Sequence, residues 1–268
     1  MIHDEAELLS LVLVLRREYL SKTRFFSTHA LPEYQAVDSL GLDESERALF
    51  LTFATVPFHA HPSGESKPNT GRSGLWKVCA NLWQHHRWAF DPQELVEVEG
   101  EAELEDFFDR LEIMDSYDAH WWFKSATTIL DEFDGDPRQI LSRQSFVAPY
   151  IERQIRRYDL PGIVDDVSTP FWVRLMHDQV HELDGIRWVS FPVDHTIFDV
   201  TQSIGNLDLS IDNREDRSDI SQFWNVFCQK HGVSPIDIER PLRLLGLHWD
   251  SGGSEYVQDI LENLREGS

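Results

Sequence analysis

The chain has 268 residues, 41% hydrophobic and 12% aromatic with nine Trp, enough to bury a substantial core, which excludes intrinsic disorder. Its two cysteines, Cys79 and Cys228, lie far apart, which excludes a disulfide framework and a four-cysteine metal or iron–sulfur site and points to a cytoplasmic setting. A net charge of −23, from 47 acidic residues against five Lys and nineteen Arg, resembles the lysine-poor coat of proteins from salt-loving organisms, so it does not by itself exclude a nucleic-acid partner.

Helical spacing dominates and alternating strand patterns are nearly absent. ELLSLVLVLRREYL (7–20) reads as a helix; its apolar run is far shorter than the roughly 20 residues of a membrane span, and no other stretch comes closer. SERALFLTFATVPF follows, starting at Asp43 or Ser45, and then HPSGESKPNTGRSG (61–74), a long loop and the most basic local stretch. LWKVCANLWQHHRW is an aromatic-rich helix in which Trp83, His85 and His86 form a packing cluster. Asp91-Pro92 and Asp136-Pro137 each place a capping carboxylate before a proline that suits the first helical position. EAELEDFFDRL, AHWWFKSATTILDEF, VAPYIERQIRRY and a helix from Ser168-Thr169-Pro170 continue the series. GIRWVSF (185–191) alone has a strand-like look. A helix after Asp194, then SDISQFWNVFCQKHG, SPIDIERPLRLLG and a helix from Ser254 complete the chain. The expectation is an all-α protein of two lobes: residues 51–193 as a central lobe, residues 1–50 and 194–268 as the other, with 206–218 as the connection.

The order of features around Asp194 carries the functional reading. The arginine-rich APYIERQIRRY (148–158) runs into Leu160-Pro161-Gly162; the helix STPFWVRLMHDQV (168–180) follows, then a connector and Phe-Pro-Val-Asp-His-Thr (191–196). This order resembles the helix-hairpin-helix (HhH-GPD) DNA glycosylase superfamily, over residues 45–205 in all, including EFDGDPRQIL just upstream. There a leucine-proline-glycine turn between two helices precedes a proline-valine-aspartate motif whose carboxylate is essential. The resemblance implies an N-glycosylase of a damaged or modified base in DNA, a base-excision repair activity that needs no cofactor. Asp194 is then the catalytic carboxylate. Cleaving an N-glycosidic bond leaves positive charge on the sugar, which a fixed carboxylate stabilises, and a helix N-terminus keeps that carboxylate ionised. As a plain helix cap, Asp194 would contribute only about 1 kcal/mol to the fold.

The family's bifunctional members carry a lysine nucleophile at the start of the helix after the hairpin. Here that region reads Val167-Ser168-Thr169-Pro170, and Lys124 lies on another helix, so the expected enzyme is monofunctional and uses water. The usual second hairpin glycine is replaced by Val164, followed by Asp165 and Asp166, which repel a phosphate and leave the form of the polymer open. A flipped base needs aromatic walls, for which Trp121, Trp122, Phe123 and Trp172 are candidates, with His195 at the pocket mouth. DNA contacts are expected from Gly162 of the hairpin, from Arg153, Arg156, Arg157 and Arg174, and from His59, His61 or Asn69 filling the gap left by the base. Asp199 is a weaker second carboxylate, and Asp208 reads as surface or cap. The rival site is HDQVHE, where His177 and His181, four apart on a helix, share a face as a zinc pair does and would make a metal-dependent hydrolase. The third possibility is a non-catalytic, nucleic-acid-binding relative in which Asp194 only caps its helix.

Overall fold

The apolar stripes and caps of the sequence become fourteen α-helices, with no β-strand among the described residues, so the protein is all-α. The computed structural model describes residues 4–60, 72–111, 116–205 and 213–266; for 58–60, 72, 73, 116 and 214 it describes the backbone alone. In chain order the helices are α1 (Glu5–Ser21), α2 (Pro32–Leu40), α3 (Glu44–Ala60), α4 (Arg72–His85), α5 (Pro92–Glu94), α6 (Glu101–Leu111), α7 (Ser116–Phe133), α8 (Arg138–Ser142), α9 (Ala148–Ile155), α10 (Ser168–Gln179), α11 (His195–Gly205), α12 (Arg214–His231), α13 (Pro235–Leu247) and α14 (Gly253–Glu266). None of those described is long and apolar enough to cross a membrane.

Local chemistry sets the helix ends. Asp4 caps α1 by accepting from the Glu7 amide at 2.7 Å. Asp43 and Glu46 form a reciprocal capping box at the start of α3, each carboxylate accepting the other's backbone N–H at 2.9 and 3.1 Å. Asp91 accepts from two amides of α5, and Asp136 from Arg138 at the start of α8. GIRWVSF does not form a strand: a 3-10 turn occupies Ile186–Trp188 and extended chain follows. The backbone pairing available nearby is a single bridge between Val147 and Asp184, too little to hold a strand.

The chain divides into two units. Residues 32–189 form one, and residues 1–31 with 190–268 form the other. The first boundary therefore falls before α2 rather than after residue 50. The turn-rich segment 206–218 is not the connection, because both of its flanks belong to the second unit; the change of unit comes at 189/190, where the chain runs extended into Phe191.

In the 32–189 unit α3 is the central element, buried from Phe50 through Val56 and packed by α4, α7 and α10. A helix enclosed on all sides must satisfy its polar side chains internally. Thr52 and Thr55 do so by donating to the Ala48 and Leu51 carbonyls. In the second unit α1 buries Leu8, Leu11, Val12 and Leu15, one stripe at i, i+3, i+4 and i+7, against α13 and α14.

Candidate functional site

Asp194 is the residue immediately before α11, and the segment leading to it is pinned. The Phe191 amide donates to Asn225 Oδ1 at 3.2 Å, and the Phe191 carbonyl accepts from Ser221 Oγ at 2.7 Å. The Phe191 ring stacks on Trp224, 5.6 Å between centroids, and the Trp224 indole N–H donates to Thr201 of α11 at 3.0 Å. Pro192 and Val193 are buried. This stretch of chain therefore has its place fixed by α12 before it turns into α11.

Both oxygens of Asp194 are engaged. Oδ1 accepts from the Ile197 amide at 2.9 Å, the third residue of α11, so the carboxylate is a helix cap. Oδ2 accepts from Arg243 Nη1 of α13 at 2.8 Å, while Arg243 Nε donates to Glu239 Oε1 at 2.5 Å. The carboxylate is 6% exposed, with Glu239 and Arg243 buried more deeply still. The three side chains form one buried cluster of two carboxylates and a guanidinium. Close approach of the helices makes this possible: a Cβ on Gly246 would meet Thr196 Cγ2 at 2.4 Å and the Thr196 carbonyl at 2.6 Å, so only glycine lets α13 cross α11 here. His195 is half-buried at the first position of α11, and Asp199 faces outward from the same helix. Asp208 lies outside the described residues.

The turn upstream is a tight joint between α9 and α10. Gly162 has φ +79°, and a Cβ there would lie 2.3 Å from the Val56 carbonyl of α3. Glycine is required for packing under α3, not for approach to a phosphate, and its backbone is buried. Asp165 has a structural role in the same turn. Its Oδ1 accepts from the Val167 and Ser168 amides at 2.6 and 2.7 Å, capping α10. N–H groups at the start of a helix are natural anion donors, and here the protein's own carboxylate fills them. Thr169 Oγ1 ties the turn further, donating to the Ile163 carbonyl at 2.8 Å. Asp166 pairs with Arg156 at 3.1 Å.

Several other expected site residues have structural roles. Trp122 and Trp172 are core of the 32–189 unit, not pocket walls: their indole N–H groups bond the Ala89 carbonyl at 2.6 Å and Thr52 Oγ1 at 3.1 Å, and Trp122 stacks on Phe53. Trp121 and Phe123 are half-buried against the same core. Arg174 is not a phosphate contact. It is 1% exposed, donates to Glu33 Oε1 at 2.7 Å, and stands over the Phe171 ring. Arg153 and Arg157 are exposed. The side chain of His59, and His61 and Asn69 altogether, lie outside the described residues.

The zinc pair does not form. Helix α10 ends at Gln179, so His181 leaves the helical path and lies against the Phe146 ring, 4.2 Å between centroids. His177 Nδ1 is taken by the Leu183 amide at 2.9 Å. No group of three His, Cys, Asp or Glu among the described residues could hold a metal ion. Trp83 is core, and His86 packs edge-on to Phe107.

Helix α2, Glu33 and the Arg243–Glu239 pair escape a reading based on apolar periodicity. The signal for the last was available: Glu239 and Arg243 stand four apart on a helix face that is otherwise buried and apolar, the spacing of an internal ion pair.

No protein-family model, curated protein or solved structure matches the chain.

Proposed function

We propose that the protein is a monofunctional N-glycosylase that hydrolyses the bond between a damaged or modified base and its deoxyribose, with Asp194 as the essential carboxylate and water as the nucleophile. One observation carries the reading. The carboxylate that follows the leucine-proline-glycine turn and its helix is held rigidly at the N-terminus of α11 by a backbone amide and a buried guanidinium. A carboxylate fixed in this way needs no reorganisation when positive charge develops on a sugar, the form in which electrostatic stabilisation is most effective. Arg243 and the Ile197 amide together keep Asp194 aimed. The setting is cytoplasmic, as two buried free thiols suit.

The self-filled hairpin narrows the substrate. With Asp165 on the α10 amides and Gly162 under α3, grip on the polymer falls to other surfaces. A second reading has its own observation: Asp194 is 6% exposed with both oxygens occupied, which suits a non-catalytic nucleic-acid-binding relative in which the residue serves only the fold. A base-release screen on oligonucleotides carrying damaged and modified bases, at molar salt, separates the two. Strand breaks that appear only after heat and alkali support the monofunctional glycosylase; no release from any substrate, with binding retained, supports the second reading.

A further inference from the structure

In a chain with 47 acidic residues against 24 basic ones, an arginine finds a partner easily, and most described arginines have one. Arg153, Arg157 and Arg187 are exposed, and their side chains make neither a hydrogen bond nor an ion pair among the described residues. All three lie in one neighbourhood of the 32–189 unit: α9, the turn just after it, and the 3-10 turn Ile186–Trp188 that packs against α9. The junction is close. A Cβ on Gly185 would meet the Pro149 ring at 3.3 Å and the Trp188 indole at 3.7 Å. Pro149 and Arg153 stand at i and i+4 on α9, a track that starts near Trp188, and Arg157 follows in the turn just after the helix.

The same two elements expose aromatic rings. Tyr150 and Trp188 are each 56% exposed, although this protein buries most of its large aromatics, and the Arg187 guanidinium stands over the Trp188 ring at 5.0 Å. Flat rings open to solvent beside a line of unpaired guanidinium groups match a strand of bases and phosphates better than an apolar partner. The nearby carboxylates confine the track: Glu152 is half-buried on α9, and Glu182 and Asp184 are exposed on the connector. A single line of cations flanked by acids suits one phosphate rail rather than two.

We propose that this face binds single-stranded nucleic acid, with bases stacked on Trp188 and Tyr150 and phosphates held by Arg153, Arg157 and Arg187. The inference rests on the glycosylase reading for its choice of nucleic acid among polyanions, yet it is measured by binding alone. The use of arginine fits a chain suited to high salt. At 1 M salt the screening length falls to about 3 Å, so long-range attraction fades while bidentate contacts and stacking persist.

The test is fluorescence anisotropy of a labelled single-stranded oligonucleotide with the full chain at low and at molar potassium chloride. The comparators are the matching duplex, a poly-glutamate peptide and anionic lipid vesicles. Trp188→Ala is expected to weaken single-strand binding by about tenfold, the loss of one stacked base. The double variant Arg153→Ala/Arg157→Ala is expected to lower the slope of log affinity against log salt by about 1.4, and Arg153→Lys/Arg157→Lys to lose binding chiefly at molar salt. All three positions are exposed, and unchanged melting temperatures confirm that the variants fold. The proposal is overturned if these variants bind as the parent does, or if duplex, peptide or vesicles bind as tightly as the single strand. Binding that depends on these residues, without base release, upholds this surface and removes the glycosylase; base release unaffected by them does the reverse.

Discussion

Replacing Asp194 by Asn tests the buried cluster before it tests any chemistry. The substitution keeps the shape and leaves one oxygen where the carboxylate offers two. In the native chain Oδ1 takes the Ile197 amide at 2.9 Å and Oδ2 takes Arg243 at 2.8 Å. An asparagine can keep the cap, but its amide group then faces the guanidinium, donor against donor. Breaking a buried ion pair by removing one partner costs about 3–5 kcal/mol. Glu239 still holds Arg243 at 2.5 Å, so part of that loss is spared and about 2–3 kcal/mol is expected. For a chain of this size that lowers the melting temperature by about 4–12 °C. Differential scanning calorimetry of Asp194→Asn, Arg243→Met and the double variant measures it. The double variant should lose less than the sum of the singles, by at least about 1 kcal/mol. If Asp194→Asn melts within about 1 °C of the parent, the carboxylate does not anchor α13 and the reasoning fails. The expected destabilisation also means that lost activity in this variant is informative only well below its melting transition.

Gly162→Ala places a methyl group 2.3 Å from a backbone carbonyl at φ +79°, so it should cost more than the roughly 1–2 kcal/mol of the left-handed conformation alone; a denaturation midpoint within error of the parent would refute the close packing under α3. Glu33→Gln breaks a pair 1% exposed on both sides and should destabilise by about 3–5 kcal/mol, read by urea unfolding; a loss under about 1 kcal/mol would show that the pair contributes little. Burial, with the His29 ring 4.3 Å away, holds His248 below the ordinary imidazole value. The unfolded chain then takes the proton first, so this contribution to stability is complete above about pH 6.5 and declines as the pH falls below it. His248→Gln should flatten the fall in melting temperature between neutral and mildly acidic pH; an unchanged profile would contradict it. Burial pushes the Cys79 thiol well up and the Cys228 thiol up to about 12, so a thiol reagent should find both silent in the folded chain and reactive after unfolding.

Most of the helices can be read from the sequence because their caps and stripes are local. Asp4, Asp43, Asp91 and Asp136 each serve amides within three residues of themselves, and α6 buries Leu104, Phe107 and Phe108 on one face. Helix α2 is not legible in that way, because Glu33 interrupts its apolar stripe, and the reason Glu33 can be buried is Arg174, distant in sequence. The same long-range pairing misleads at the site. Arg174 has the residue type of a phosphate contact and the place of an internal counter-charge. Trp122 and Trp172 have the type of a stacking wall and the place of core. Asp165 is legible as an obstacle to phosphate, but not as the group that occupies the α10 amides. Asp194 is the instructive middle case. Its cap follows from the helix beginning at His195, whereas its engagement by Arg243 depends on the crossing of α13 over α11 at Gly246, which no local pattern announces.

Glu239→Gln and Asp194→Asn each remove one negative charge from the same buried cluster, and only the second alters the proposed catalytic carboxylate. Base release by the two variants, measured side by side on the preferred oligonucleotide below both melting transitions, tests the central claim most directly. The account predicts that Asp194→Asn releases no base while Glu239→Gln keeps its activity within about tenfold, a difference of 1.4 kcal/mol or less in the barrier. Base release that survives in Asp194→Asn, or that falls equally in both, would contradict it and leave Asp194 a cap and counter-ion of the fold.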